Sequence, residues 1–177
     1  MTAEDKIKEA EYNLDKLKNA SNLDQEFQFE LSNFLGSCYS ILEHLLEDHN
    51  QKFGFSLDYV TSKTFRDKAN KMRNADALKF INWYDNEKLK LRNEKSYGFL
   101  VARRRHSVHK STVKAEHMAW VKVDLKLEFT DGTKRDVDLG KHTWRFFEER
   151  KGQDGIMICT EFLNHLKRIV HDSQRQE

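Results

Sequence analysis

Residues 26–47, which read EFQFELSNFLGSCYSILEHLLE, decide the fold class of this 177-residue chain. Apolar side chains recur there at spacings of three and four residues: Phe27, Leu31, Phe34, Leu35, Cys38, Leu42, Leu45 and Leu46. This spacing places them along one face of an α-helix. We therefore predict a helix over about residues 23–49, with a long apolar face that other helices must cover.

The same spacing predicts a helix before this one and a weaker one after it. A helix over about residues 3–19 begins with a capping box made by Thr2 and Asp5. Gly54 interrupts the pattern, and a helical but poorly amphipathic stretch follows to about residue 74.

Three later segments are also predicted to be helical, over about residues 76–91, 95–110 and 155–172. The first contains Trp83-Tyr84, and the last carries a clear apolar stripe: Ile158, Phe162, Leu163, Leu166, Ile169 and Val170.

Between these helices the period changes to two. Apolar and charged residues alternate from Val121 to Phe129, which predicts a half-buried β-strand. Asp131-Gly132 predicts a tight turn, and Val137 and Leu139 continue the alternation on the return strand. The predicted fold is thus mainly α (α+β overall): a helical bundle over 1–114, with an antiparallel β-hairpin and a closing helix over 115–177 packed on the same domain.

Composition excludes several classes of protein. The chain has no proline, and 38% of its residues are hydrophobic and 34% charged, which suits amphipathic helices rather than a disordered chain. No run approaches the roughly 18 apolar residues of a membrane span, and the N-terminus is charged. We expect a cytoplasmic protein with no membrane partner, whose Cys38 and Cys159 are reduced core residues; a disulfide is the alternative.

The net charge of +2 hides a strong asymmetry along the chain. Residues 1–62 carry a net charge of −7, residues 63–114 of +10 and residues 115–177 of −1. A basic centre favours an anionic partner, with RNA the first candidate. The alternative is that acidic and basic helices neutralise each other across the bundle.

The run Arg103-Arg104-Arg105-His106-Ser107-Val108-His109 lies within this basic centre. On a helical wheel, Arg104 falls in the middle of an apolar stripe formed by Tyr97, Leu100, Val101 and Val108. A buried guanidinium requires an acidic partner, such as Glu43 or Glu30, or a cleft open to an anionic ligand. Arg105 and His109 lie side by side on one flank of the stripe, whereas Arg103 and His106 point outward.

An arginine beside a histidine suits the cleavage of a phosphodiester. The imidazole can take a proton from a ribose 2′-hydroxyl or donate one to the leaving oxygen near neutral pH. The guanidinium can neutralise the charge that develops on the phosphate. This chemistry requires neither a metal ion nor a cofactor.

The segment 99–110, FLVARRRHSVHK, resembles the signature of the HEPN superfamily, in which an arginine is followed four to six residues later by a histidine on a late bundle helix. The resemblance covers about residues 5–112: a long apolar helix, a Trp-Tyr element and then the Arg/His helix. Arg104 and His109 match the R-x4-H pair, while Arg105 stands where the family often has Asn, Asp or His. Arg73-Asn74 and Arg92-Asn93 have no histidine at the required distance.

The resemblance implies an antiparallel helical bundle that forms a homodimer. It also implies a function: HEPN proteins are metal-independent ribonucleases, toxins or noncatalytic RNA-binding modules. Arg104 and His109 would then be catalytic, in a toxin or phage-defence factor with a possible antitoxin or other protein partner. RNA or another phosphate-bearing ligand would contact the surrounding polar residues: Arg103, Arg105, His106, Ser107 and Lys110. The alternative is a noncatalytic HEPN-like module that binds RNA, a nucleotide or a protein.

Three other groups of residues resemble metal sites or binding surfaces. Glu43, His44, Glu47, Asp48 and His49 resemble a metal cluster, but the two histidines do not share a helix face, so we interpret the group as a solvated helix end. His106, His109 and His117 lack the regular spacing of a metal site. Packing of the hairpin on the bundle is favoured over base stacking for Trp120, Trp144 and Phe146-Phe147.

Overall fold

The computed structural model describes residues 1–20, 24–94, 100 and 155–175, together with the backbone of four short strands between 116 and 145. Within these ranges the chain is mainly helical, as predicted, and five helices are described. They are α1 (Ala3–Asn19), α2 (Asp24–Lys52), α3 (Ser62–Lys71), α4 (Ala75–Asn93) and α5 (Gly155–Ser173).

α1 and α2 form an antiparallel helical pair. The backbone N–H of Ala3 donates to Asp48 Oδ2 over 2.8 Å, and Asn13 donates to the Ser37 hydroxyl. As the chain advances along α1, its partners therefore move backward along α2. α1 begins with the predicted capping box: Thr2 Oγ1 accepts from the Asp5 N–H, and Asp5 accepts from the Thr2 N–H.

α3 and α4 pack on the C-terminal end of α2 through an aromatic cluster. Its rings belong to the end of α2, the loop that follows and the two helices: His49, Phe53, Phe55, Phe65, Phe80, Trp83 and Tyr84. The Phe55 and Phe65 centroids lie 5.0 Å apart, and those of Phe65 and Phe80 lie 5.6 Å apart. Rings at such separations gain stabilisation beyond the burial of their area.

The prediction of a helical stretch from Gly54 to about residue 74 is wrong in its first part. Residues 55–61 form a loop, and helix begins only at Ser62. Gly54 and Ser56 adopt positive φ angles of 64° and 49°, which end α2 and turn the chain. The loop passes into α3 through an N-cap, since Thr61 Oγ1 accepts from the Thr64 N–H.

α5 completes one hydrophobic core shared by all five helices. Its apolar stripe is buried as predicted, and Lys167 forms an ion pair with Glu11 of α1 at 2.6 Å. Cys38 of α2 and Cys159 of α5 are both buried in this core and form no disulfide, as the sequence predicted.

Backbone pairing is described for four strands. β1 (Glu116–Ala119) pairs antiparallel with β4 (His142–Arg145), and β2 (Leu125–Glu128) pairs antiparallel with β3 (Lys134–Val137). The predicted turn at Asp131-Gly132 lies outside the described residues, so the hairpin as an appended unit stays a prediction. No helix in the described part of the chain combines the length and apolar character needed to cross a bilayer.

Candidate functional site

The predicted Arg/His site lies outside the described residues. This applies to all seven polar residues proposed for it: Arg103, Arg104, Arg105, His106, Ser107, His109 and Lys110. Leu100, four residues before Arg104, is described; it is helical and 2% exposed, and it belongs to the common core. The predicted burial of Leu100 is therefore confirmed.

The positive charge of the described chain is concentrated on α3 and the first turns of α4. Residues 63–79 carry six Lys/Arg and two Asp/Glu, whereas residues 80–94 carry three of each. Five of these six cations are exposed or half-exposed and form no ion pair with any described carboxylate: Lys63, Lys68, Lys71, Arg73 and Lys79. We call these five residues the α3 basic surface.

The sixth cation, Arg66, has a structural role instead. Its Nη2 lies 2.7 Å from Asp85 Oδ2 and its Nη1 donates to Asn82, so it joins α3 to α4. Charge neutralisation between helices, the alternative considered for the basic centre, therefore accounts for Arg66 but not for the α3 basic surface.

A cavity of about 520 Å³ lies between α2, α4, α5, the loop residues 58–61 and the first residue of α3, Ser62. The buried side chains that line it come from three helices and are mostly apolar: Cys38, Leu42, Leu46, Tyr84, Leu91, Phe162 and Leu166. We call this the interhelical cavity. Its volume falls within the range of small-molecule sites, about 300–1,000 Å³.

The more exposed side chains at the cavity are polar and carry net negative charge. Glu43 and Glu47 come from α2, Asp58 from the loop and Lys88 from α4. Lys88 Nζ lies 5.2 Å from the centroid of the Tyr84 ring, a cation–π distance. Three carboxylates against one ammonium make this rim acidic, in contrast to the α3 basic surface.

Two ionisable groups inside the cavity are held in their neutral forms. Burial and then the charges of Asp85 and Glu43 raise the pKa of the Tyr84 hydroxyl well above its usual value, and that hydroxyl donates to the Leu42 carbonyl over 2.9 Å. Burial and the neighbouring Cys159 likewise raise the pKa of the Cys38 thiol. Cys38 therefore forms part of an uncharged wall and is not a nucleophilic thiolate.

His44 provides a further hydrogen-bonding group at the cavity. Its Nδ1 lies 2.9 Å from the Ser40 carbonyl oxygen, which can only accept. Nδ1 must therefore carry the proton in this hydrogen bond, which makes Nε2 of the neutral ring an acceptor.

The interpretation of residues 43–49 as a solvated helix end is wrong for its C-terminal half. His49 is only 7% exposed and its Nδ1 lies 3.0 Å from the Leu45 carbonyl oxygen, while Asp48 accepts from the Ala3 N–H. The reason is that α1 and the aromatic cluster cover this end of α2. Among the described residues, no group of three or more His, Cys, Asp or Glu side chains is arranged to hold a metal ion.

The loop that walls the cavity is held by a buried asparagine. Asn50 Oδ1 accepts from the Leu57 N–H over 3.2 Å, and Asn50 Nδ2 donates to the Leu57 carbonyl over 3.3 Å and to Glu47 Oε1 over 3.2 Å. Both backbone groups of Leu57 are therefore bound by one side chain that is 2% exposed. Asn50 thus positions residues 58–62 beside the cavity.

Sequence reasoning did not identify this cavity. Its lining comes from positions 38 to 166, so no local pattern in the sequence indicates it. The one local signal is the group of acidic residues near the end of α2, a pattern that is also typical of a solvated helix end. Comparison with known proteins identifies no relative, because no family model, curated protein or solved structure matches the chain.

Proposed function

We propose that this protein is an RNA-directed HEPN-like protein that cleaves RNA without a metal ion through Arg104 and His109. The observation that supports RNA as the ligand is the α3 basic surface, with five cations that lack described carboxylate partners. Cations held close together repel one another, and binding a polyanion relieves this repulsion while releasing its counterions. α3 has 10 residues and is about 15 Å long, which suits a run of phosphates better than a single one.

The proposed catalytic pair follows directly after the described core. Leu100 is buried, and Arg104 follows it four positions later in the sequence. In the proposed reaction, His109 transfers the proton of a ribose 2′-hydroxyl or of the leaving oxygen, and Arg104 stabilises the charged phosphate. Arg103, Arg105, His106, Ser107 and Lys110 bind the neighbouring phosphates.

We further propose that the protein is a homodimer in which the segments that contain Arg104 and His109 face each other. It would act in the cytoplasm as a toxin or defence protein, with an antitoxin or another protein as its partner. The second candidate is a noncatalytic RNA-binding module of the same type. Two observations favour this alternative: Arg105 departs from the family pattern, and the α3 basic surface could hold RNA without cleaving it.

Catalysis is tested by incubating labelled single-stranded and structured RNA with the protein in excess chelator. We expect cleavage by the wild type and a loss of about 100-fold or more in His109→Ala and in Arg104→Ala, the range typical of general acid–base groups. His171→Ala is the matched control, because this histidine is exposed on α5. Equal cleavage by His109→Ala and wild type contradicts the catalytic assignment, and binding without cleavage selects the second candidate.

RNA binding is tested by reversing charge on the α3 basic surface. The triple variant Lys63→Glu, Lys71→Glu, Lys79→Glu should weaken binding and lower the slope of log affinity against log salt by about 2, roughly 0.7 for each lost phosphate contact on a single strand. The control is a triple reversal of exposed lysines on α1: Lys8→Glu, Lys16→Glu and Lys18→Glu. Equal slopes in the two triple variants, or no RNA binding by the wild type, overturn the proposal.

A further inference from the structure

We infer that the interhelical cavity binds a guanine base. The inference extends the proposed function, because it gives an RNA-directed protein a base-recognition site separate from Arg104 and His109. It rests on the shape of the cavity, the hydrogen-bonding groups at its rim and its position beside the α3 basic surface.

The cavity is large enough to admit a base, and its walls suit a flat aromatic ring. It encloses about 520 Å³, and the buried part of its lining is apolar except for the Cys38 thiol and the Tyr84 hydroxyl, which both stay protonated. A flat aromatic ring can therefore enter without leaving a buried charge unpaired. Tyr84 closes one wall, and its hydroxyl is already bound to Leu42.

The rim of the cavity presents hydrogen-bond acceptors, so it favours a base that presents hydrogen-bond donors. Glu43, Glu47 and Asp58 offer carboxylates, which only accept hydrogen bonds, and His44 Nε2 is also an acceptor. Guanine has an N1–H beside its N2 amino group, two parallel donors that match the two oxygens of one carboxylate. Adenine and cytosine have a ring nitrogen that accepts hydrogen bonds beside their amino group, and uracil has its N–H between two carbonyl oxygens. When a carboxylate faces any of these three bases, at least one of its oxygens therefore lies opposite an acceptor of the base.

Tyr59 supplies a stacking surface at the mouth of the cavity. It lines the cavity, yet its side chain is 76% exposed and makes no ring contact with the described aromatic residues. Packing in the fold therefore does not explain an aromatic residue here, whereas stacking on a base does.

The charges around the cavity orient the bound nucleotide. The acidic rim repels phosphate, so only the base end is expected to enter. Ser62 lines the cavity, and the next residue, Lys63, belongs to the α3 basic surface. A guanine in the cavity would thus have its phosphates beside the cations proposed to hold the RNA backbone.

The test is titration calorimetry of the full chain with guanosine and with uridine, nucleosides that carry no phosphate. We expect guanosine to bind at least about tenfold more tightly than uridine, which corresponds to one bidentate base contact. Tyr59→Ala and Asp58→Asn should each weaken guanosine binding at least about fivefold. Both residues are exposed, so their variants should fold normally.

Matched controls come from α1, where Tyr12 is an exposed tyrosine and Glu4 an exposed glutamate away from the cavity. Tyr12→Ala and Glu4→Gln should bind guanosine as the wild type does. Three results overturn the inference: no guanosine binding up to about 1 mM, equal binding of guanosine and uridine, or unchanged binding in both cavity variants.

Failure of this inference can be distinguished from failure of the proposed function. RNA binding that depends on the α3 basic surface, without guanosine binding, overturns the base site and leaves the RNA-directed function in place. Guanosine binding without RNA binding overturns the proposed function and leaves the base site. His109→Ala should abolish cleavage while binding guanosine as the wild type does.

Discussion

The imidazole of His49 lies flat against the ring of Phe80, with 3.7 Å between the centroids and 5° between the planes. His49 is on α2 and Phe80 on α4, so this stack joins two of the helices that line the interhelical cavity. The hydrogen bond between Nδ1 and the Leu45 carbonyl holds the ring in this orientation.

We expect His49→Ala to lower the free energy of unfolding by about 2–4 kcal/mol, because it leaves a cavity beside a fully buried ring. His49→Phe should recover much of the loss, since a phenyl ring can keep the stack. Urea denaturation measures both effects, with the exposed His171→Ala as the control, expected to lie within about 0.5 kcal/mol of the wild type. A loss below about 1 kcal/mol in His49→Ala would show that the stack contributes little to stability.

Asn50→Ala should destabilise the protein by about 1–3 kcal/mol, because the N–H and carbonyl of Leu57 lose their side-chain partner. It should also weaken guanosine binding, since residues 58–62 would no longer be held beside the cavity. Asn86→Ala, at an exposed position of α4, is the control for both measurements. Normal stability in Asn50→Ala would contradict the positioning role of Asn50.

The two glycines with described surroundings should respond to alanine in opposite directions. A Cβ at Gly36 meets no described atom within 4 Å, so Gly36→Ala should stabilise α2 by about 0.5–1 kcal/mol. Gly54 has a φ of +64°, so Gly54→Ala should destabilise the protein by about 1 kcal/mol. Thermal unfolding measures the change in stability of both variants. A loss of stability in Gly36→Ala would indicate that a second chain packs on the face of α2 that contains Gly36. Measurement of the oligomeric state would then test this.

His165 should make stability depend on pH. Burial, and then the neighbouring Arg168, lowers the pKa of His165 below 6.5. Glu87 on α4 and Glu94, just after α4, have the opposite effect, and Lys90 lowers the pKa further. The unfolded chain therefore binds more protons than the folded chain between the lowered pKa and 6.5, so this contribution to stability is present above 6.5 and is lost as the pH falls.

The measurement is the difference in free energy of unfolding between His165→Gln and the wild type, taken at about pH 8 and again at about pH 5.5. We expect the variant to gain stability relative to the wild type at the lower pH. The comparison at the higher pH, where both side chains are neutral, removes any effect of the substitution on packing. An unchanged difference would show that His165 does not control stability in this range.

The sequence predicted those parts of the fold that depend on local pattern. Thr2 and Asp5 identified the start of α1, the apolar spacing identified α2, and the stripe from Ile158 to Val170 identified α5. These features follow from helix geometry and capping alone, and each is complete within a few turns of chain.

Features that depend on contacts between distant residues could not be predicted in this way. Residues 55–61 were expected to be helical, but the positive φ angles at Gly54 and Ser56 and the binding of Leu57 by Asn50 produce a loop. His49 was assigned to solvent because its burial depends on Phe80, a residue 31 positions later. The interhelical cavity was missed for the same reason, while Arg104 and His109 remain candidates from sequence alone.

The walls of the interhelical cavity set an order of events during protein synthesis. Leu42, Leu91 and Leu166 all line it, so 75 residues must be translated after Leu91 before the last wall exists. At about 5–20 residues per second this takes roughly 4–15 s, during which α1 to α4 can pair but the face that α5 covers stays open to solvent. A chain whose α5 has not yet been made therefore cannot bind a ligand in this cavity, and a chain truncated before α5 would be a target for chaperones and proteases.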